Sequence, residues 1–205
     1  TCVQQSVMNF GILMVQGLVN SFGKTVMAAF AAAVKIDSFA YMPVQDFGNA
    51  FSTFIAQNFG ARNEERIRRG IRSAVGAAFV FCVVISLAVC VFARPLMGLF
   101  IQPEETEIIA VGVGYLRIEA SCYFGIGLLF LLYGFYRAVK RPGMSVVLTV
   151  ISLGTRVALA YLLSAVPAIG VTGIWAAVPI GWALADLAGV GYYLKHKTRL
   201  LHVNG

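Results

Sequence analysis

Charge is what this chain has least of. Of its 205 residues, 16 are Lys or Arg and nine are Asp or Glu, 12% in all, about half the charged share of an ordinary soluble domain. So few charges cannot cover a soluble surface, and 59% of the residues are apolar with mean hydropathy +0.81. A soluble enzyme, a disordered tail and a nucleic-acid-binding domain are excluded on these grounds. Histidine is nearly missing as well: His196 and His202 both fall in a basic tail. With no HExxH, GxSxG or clustered His, the chain is read as not an enzyme. The four cysteines, Cys2, Cys82, Cys90 and Cys122, show no CxxC or metal-ligand spacing and read as small packing residues. A secretory signal pattern is lacking too. The sequence begins Thr1-Cys2-Val3, without an initiator Met or a basic lead-in, and the expectation is a fragment of a longer chain.

What is there is a series of long apolar runs. A bilayer core of about 30 Å needs roughly 20 mostly apolar helical residues. Six stretches meet that need: 3–20, 26–58, 75–93, 111–136, 144–163 and 171–194. They are continuous rather than alternating, so helices are expected and a β-barrel is not. The predicted class is an all-α integral membrane protein with six transmembrane helices in one domain, 1–205.

The basic residues explain the +7 net charge as topology. Arg62, Arg66, Arg68, Arg69 and Arg72 follow the second span. Arg137, Lys140 and Arg141 follow the fourth, and Lys195, Lys197 and Arg199 follow the sixth. Lys24, Arg94 and the acids Glu104, Glu105 and Glu107 fall on the other side. The positive-inside rule predicts a multi-pass protein of the cell membrane with both ends of this chain cytoplasmic. The bilayer is the expected partner, and nucleic acid is not.

The second span carries the polar groups. Thr25 to Phe59 would be about 52 Å of helix, longer than the bilayer core, and Pro43 predicts a kink near its middle. Asp37, Tyr41, Gln45, Gly48 and Ser52 form one helical stripe. Lys35, Asp46, Asn49 and Thr53 form an adjacent one. Embedded ionisable groups face partners or water, so both stripes are expected on a wet or protein-facing side. Arg117 and Glu119 in the fourth span stand at i, i+2 and cannot pair with each other. The stripe Ser145, Thr149, Ser152 and Arg156 lies on the fifth span, and Trp182, Asp186, Gly189 and Tyr193 share a face on the sixth. After the second span, Asn63 is expected to cap a separate amphipathic helix, about 63–73, lying along the headgroups with Ile67 and Ile71 on its apolar face.

The segment Pro43 to Arg66, PVQDFGNAFSTFIAQNFGARNEER, resembles the region after the eighth helix of multidrug and toxic compound extrusion (MATE) transporters. Gly23–Ala29, Tyr133–Pro142 and Gly173–Leu194 are similar to further elements of that family in the same order. The resemblance implies helices seven to twelve, one lobe of a twelve-helix transporter whose partner is an N-terminal six-helix lobe. It implies export of cationic or amphipathic small molecules in exchange for Na⁺ or H⁺, by alternating access, with no other cofactor. Gln16, Lys35, Asp37, Tyr41, Gln45, Asp46 and Arg156 are the candidate cavity or coupling residues. Among them Asp37 and Asp46 are the titrating or substrate-facing acids, and Lys35 is their counter-charge. The tenth-helix acid of some members has no counterpart between Cys122 and Tyr136, and the first span holds amides but no carboxylate. A flippase for lipid-linked precursors is the alternative reading of the same architecture.

Overall fold

A computed structural model describes residues 2–202, and among these the chain is wholly helical. Seven helices follow in order: α1 Cys2–Asn20, α2 Lys24–Gly60, α3 Glu64–Met97, α4 Thr106–Ala120, α5 Tyr123–Ala138, α6 Pro142–Ser164 and α7 Val171–Leu201. Five are long and apolar enough to cross a bilayer, and α4 with α5 makes a sixth, bent by 53° at the break. With the bent pair counted as one crossing there are six candidate spans, and the fourth is discontinuous where the sequence predicts one run over 111–136. No proline or glycine sits at the junction Ser121-Cys122. Tertiary contacts around the junction, described below, hold the two half-helices.

Helix α2 runs unbroken through Pro43 for 37 residues, or about 55 Å. Proline is tolerated within a membrane helix because neighbouring helices and local adjustments accommodate the freed carbonyl. The amphipathic segment 63–73 is not a separate helix on the headgroups. It forms the first turns of α3, which continues without interruption to Met97, since nothing in Ser73-Ala74-Val75 breaks the helical hydrogen-bond ladder. The cap itself is as the sequence predicts: Asn63 Oδ1 accepts from the Arg66 amide at 3.1 Å. Asn63→Ala should lower stability by about 1 kcal/mol, read as a fall in the thermal midpoint of the purified protein. Gly60 ends α2, but the left-handed residue of the turn is Arg62, at φ 55°.

Helix α5 is the axis of the lobe, packed against α2, α3, α6 and α7, and nearly every residue from Leu129 to Tyr136 is buried. Small residues bring its neighbours close. Gly48 on α2 meets the Phe130 carbonyl, Gly134 on α5 meets the Gly48 carbonyl, and the Ser52 hydroxyl donates to the Gly134 carbonyl at 2.9 Å. Such close approach is how membrane helices gain packing when lipid offers no hydrophobic drive. The outward side of α3 exposes Phe79, Val80, Val84, Leu87 and Val91, an apolar stripe matched to acyl chains.

The basic segments converge at one end of the lobe. Ile67, Val139 and Leu200, one from each segment, share a core cluster, and His202 pairs with Glu64 at 2.9 Å.

Candidate functional site

Within a lipid-embedded lobe, a buried polar atom without a partner is the observation that most needs a reason. Among the described residues four side chains hold one: Asp37 Oδ2, Glu119 Oε1, Arg156 Nε and Asp186 Oδ1. The first three belong to one cluster. Asp37 comes from the buried face of α2 and Glu119 from the end of α4, and each is 2% exposed. Tyr123, the first residue of α5, donates its hydroxyl to Asp37 Oδ1. Tyr115 and Glu119 adjoin the same carboxylate, and Arg156 on α6 acts on both acids electrostatically without coming within ion-pair distance. Tyr41 flanks the group.

The fold builds this cluster at the break in the fourth span. Tyr115 and Glu119, one turn apart on α4, and Tyr123, just past the junction, all reach Asp37 on α2. Tyr115 also meets Trp175 edge-on at 4.9 Å between ring centroids, and Phe30 stacks on Trp175 at 5.5 Å, an aromatic group beside the cluster. Two carboxylates side by side in a dry interior cannot both carry charge without a proton or cation between them. One hydroxyl donor and a distant guanidinium leave acceptor atoms open. The arrangement is chemically suited to taking up one small positive charge.

The seven residues singled out from the sequence divide between two places. Asp37, Tyr41 and Arg156 belong to the buried cluster. Gln16, Lys35, Gln45 and Asp46 are exposed on α1 and α2. The two stripes of α2 therefore have different fates: the one through Asp37 and Gly48 packs inward except at exposed Gln45, and the one through Lys35 and Asp46 faces out. Lys35 is not the counter-charge of Asp37, because its ammonium lies over the Phe100 ring at 5.8 Å and Arg156 takes that role. Gln45 lines a small polar pocket of about 130 Å³ with Gln4, Gln5, Asn49 and Arg137, where Arg137 donates to Asn49 Oδ1 at 3.2 Å. Glu119, Tyr115 and Tyr123 are absent from the residues chosen on sequence. The i, i+4, i+8 spacing of two tyrosines about an acid was the signal that could have found them. Ser145 and Thr149 donate to backbone carbonyls and act as interhelical and intrahelical fastening.

The chain resembles known proteins over most of its length. The MatE family model matches residues 1–162. The chain is 27% identical over 192 residues to the probable multidrug resistance protein YoeA of Bacillus subtilis, covering 89% of this chain and 40% of that one. It is 31% identical over 150 residues to YpnP, a probable multidrug resistance protein of the same organism, covering 73% and 33%. A transporter of the MOP superfamily from Pyrococcus furiosus superposes with TM-score 0.90 at 19% identity, over 98% of this chain and 45% of that one. The chain thus spans less than half the length of the relatives it matches, and the structural likeness covers one lobe. On the family model, which matches residues 1–162, and the 31% identity to a relative over 73% of its length, the chain belongs to the MatE family of membrane transporters.

Proposed function

We propose that the protein to which this lobe belongs exports organic cations or other amphipathic small molecules by antiport, and that the Asp37–Glu119 pair takes up the coupling H⁺ or Na⁺. The observation that carries this reading is the pair of unsatisfied carboxylates buried at a broken span. Discontinuous helices recur at the ion sites of secondary transporters, and intramembrane acids without a structural ion pair are functional by default. The names of the relatives, probable multidrug resistance proteins, support the substrate class. The exposed residues Gln16, Lys35, Gln45 and Asp46 lie on the α1 and α2 side, where an N-terminal lobe would complete a cavity and the substrate would contact them. The basic end of the lobe is assigned to the cytoplasm by the positive-inside rule.

Coupling works as a population shift. An ion that binds the pair better in one state biases the lobe toward that state by its difference in affinity and no more. The test is transport in proteoliposomes holding the full-length protein. A cationic dye should move against its gradient when an H⁺ or Na⁺ gradient is imposed. Movement of a lipid-linked precursor without dye transport would favour the flippase, a reading that Lys35, the one cation among the four exposed residues, does not support.

A further inference from the structure

The arginines at the start of α3 divide between two faces, and the division has a chemical use. Arg66 lies over the Phe54 ring and Arg69 pairs with Glu65, both toward α2. Arg68 falls on the opposite side from Arg66, and Arg72 lies between it and Arg69, so that Arg68 and Arg72 flank the face carrying Ile71 and Val75. That face borders an apolar groove of about 290 Å³. Ile71 and Val75 form one wall, Tyr193 and Leu194 of α7 form the other, and Leu128 and Leu131 of α5 form the floor. Helix α5 packs against both walls, while α3 and α7 stand apart along the groove. At the basic end, Arg68 and Arg72 are electrostatic neighbours of Tyr193, and Lys197 lies one turn beyond Tyr193 on the same side of α7. Arg72 has no acidic partner among the described residues, and Arg68 reaches Glu64 only at 3.8 Å.

We infer that this groove binds one anionic phospholipid, with an acyl chain between α3 and α7 and its phosphate held by Arg68 and Arg72. The apolar walls at membrane depth exclude a polar ligand. The cations sit at the headgroup level of the basic end, and basic pockets between membrane helices on that side select anionic headgroups. The polar face of α5, through Tyr133 and Arg137, lies in the separate pocket with Gln45 and Asn49, so the lipid site is on the other side of the same helix. The proposal does not depend on the transport assignment.

Native mass spectrometry of the full-length protein, delipidated in detergent and offered equimolar phosphatidylglycerol and phosphatidylcholine of matched chains, tests it. The wild-type protein should retain phosphatidylglycerol about tenfold better. The pair Arg68→Gln and Arg72→Gln should bring that ratio close to one, while Arg66→Gln with Arg69→Gln leaves it near the wild-type value. Val75→Trp, which fills the groove, should lower retention of both lipids. An unchanged ratio in the first pair overturns the site, as does an equal loss in the second pair, which would reduce the effect to general surface charge. A photoreactive acyl chain on phosphatidylglycerol should label α3, α5 or α7 near the groove. Labelling elsewhere, or a groove found covered by another part of the protein, also overturns it.

Discussion

Asp37→Asn should cut export of a cationic dye by roughly 5- to 150-fold, the range that a coupling free energy of a few kcal/mol spans. The amount of protein in the membrane should stay the same. The carboxylate is buried and 2% exposed, its Oδ2 is unsatisfied, and Arg156 is too far to form an ion pair. An amide of the same shape therefore removes a charge that the interior does not welcome, and folding is not the function lost. Glu119→Gln should behave alike, and the double variant should lose little more than either alone. Two groups that hold one proton or cation together are coupled, so their effects do not add. Tyr123→Phe removes the hydroxyl donor from Asp37 and should shift the pH dependence of export more than its maximum. Asp46→Asn, on the exposed stripe, should change substrate preference while coupling to the ion gradient persists. Wild-type export by both Asp37→Asn and Glu119→Gln would sink the assignment.

Gly134→Leu should give the largest loss of folded protein. A Cβ at Gly134 would lie 2.6 Å from the Gly48 carbonyl oxygen and 3.3 Å from the Ser52 Cβ. The obstructing atom is backbone, which no rotamer change can move. Helix α2 would be pushed off α5, and Ser52 would lose its bond to the Gly134 carbonyl. Overpacking within a core costs about 1–3 kcal/mol even when side chains can yield, and here the axis helix of the lobe is displaced. Thermal unfolding and membrane yield of the full-length protein should both fall sharply. Gly76→Ala is the control: nothing lies within 4 Å of a Cβ there, and alanine is the better helix former by about 1 kcal/mol. Equal stability of Gly134→Leu and the wild type would show that the α2–α5 approach does not hold the lobe together.

Most of the crossings were legible because a bilayer imposes length and apolarity on any helix that spans it. The boundaries of α1, α6 and α7 fall within a few residues of the apolar runs, although α7 continues to Leu201 past its run. The basic segments also read correctly as one end of the molecule: positive charge is kept out of the hydrocarbon whatever the packing. The helical phase of 63–73 was right, and its independence was not. Amphipathicity specifies which residues share a face but not whether the helix stops, and Ser73-Ala74-Val75 offers no stop.

The functional cluster was half visible. Asp37, Tyr41 and Arg156 stand out because ionisable and hydroxyl groups are costly in lipid. Lys35 is close to Asp37 in sequence but turned away from it, and the cation whose charge acts on the acid is Arg156, beyond ion-pair distance on α6. A helix carries residues 35 and 37 to different sides, and only the position of α6 brings Arg156 to the acid. Arg117 is the charged residue near Glu119 in sequence. Its relation to Asp37 is a fact of how α4 crosses α2.

By itself the sequence determined the class, the family and the gathering of the basic segments at one end, since each is a transfer free energy or a motif local in the chain. The tertiary structure decided which polar stripe of α2 is buried, where the fourth span breaks, and that Asp37 and Glu119 share one site. Those outcomes depend on close contacts between helices far apart in sequence, as at Gly48 and Gly134, and helical periodicity cannot encode which neighbour a face will meet.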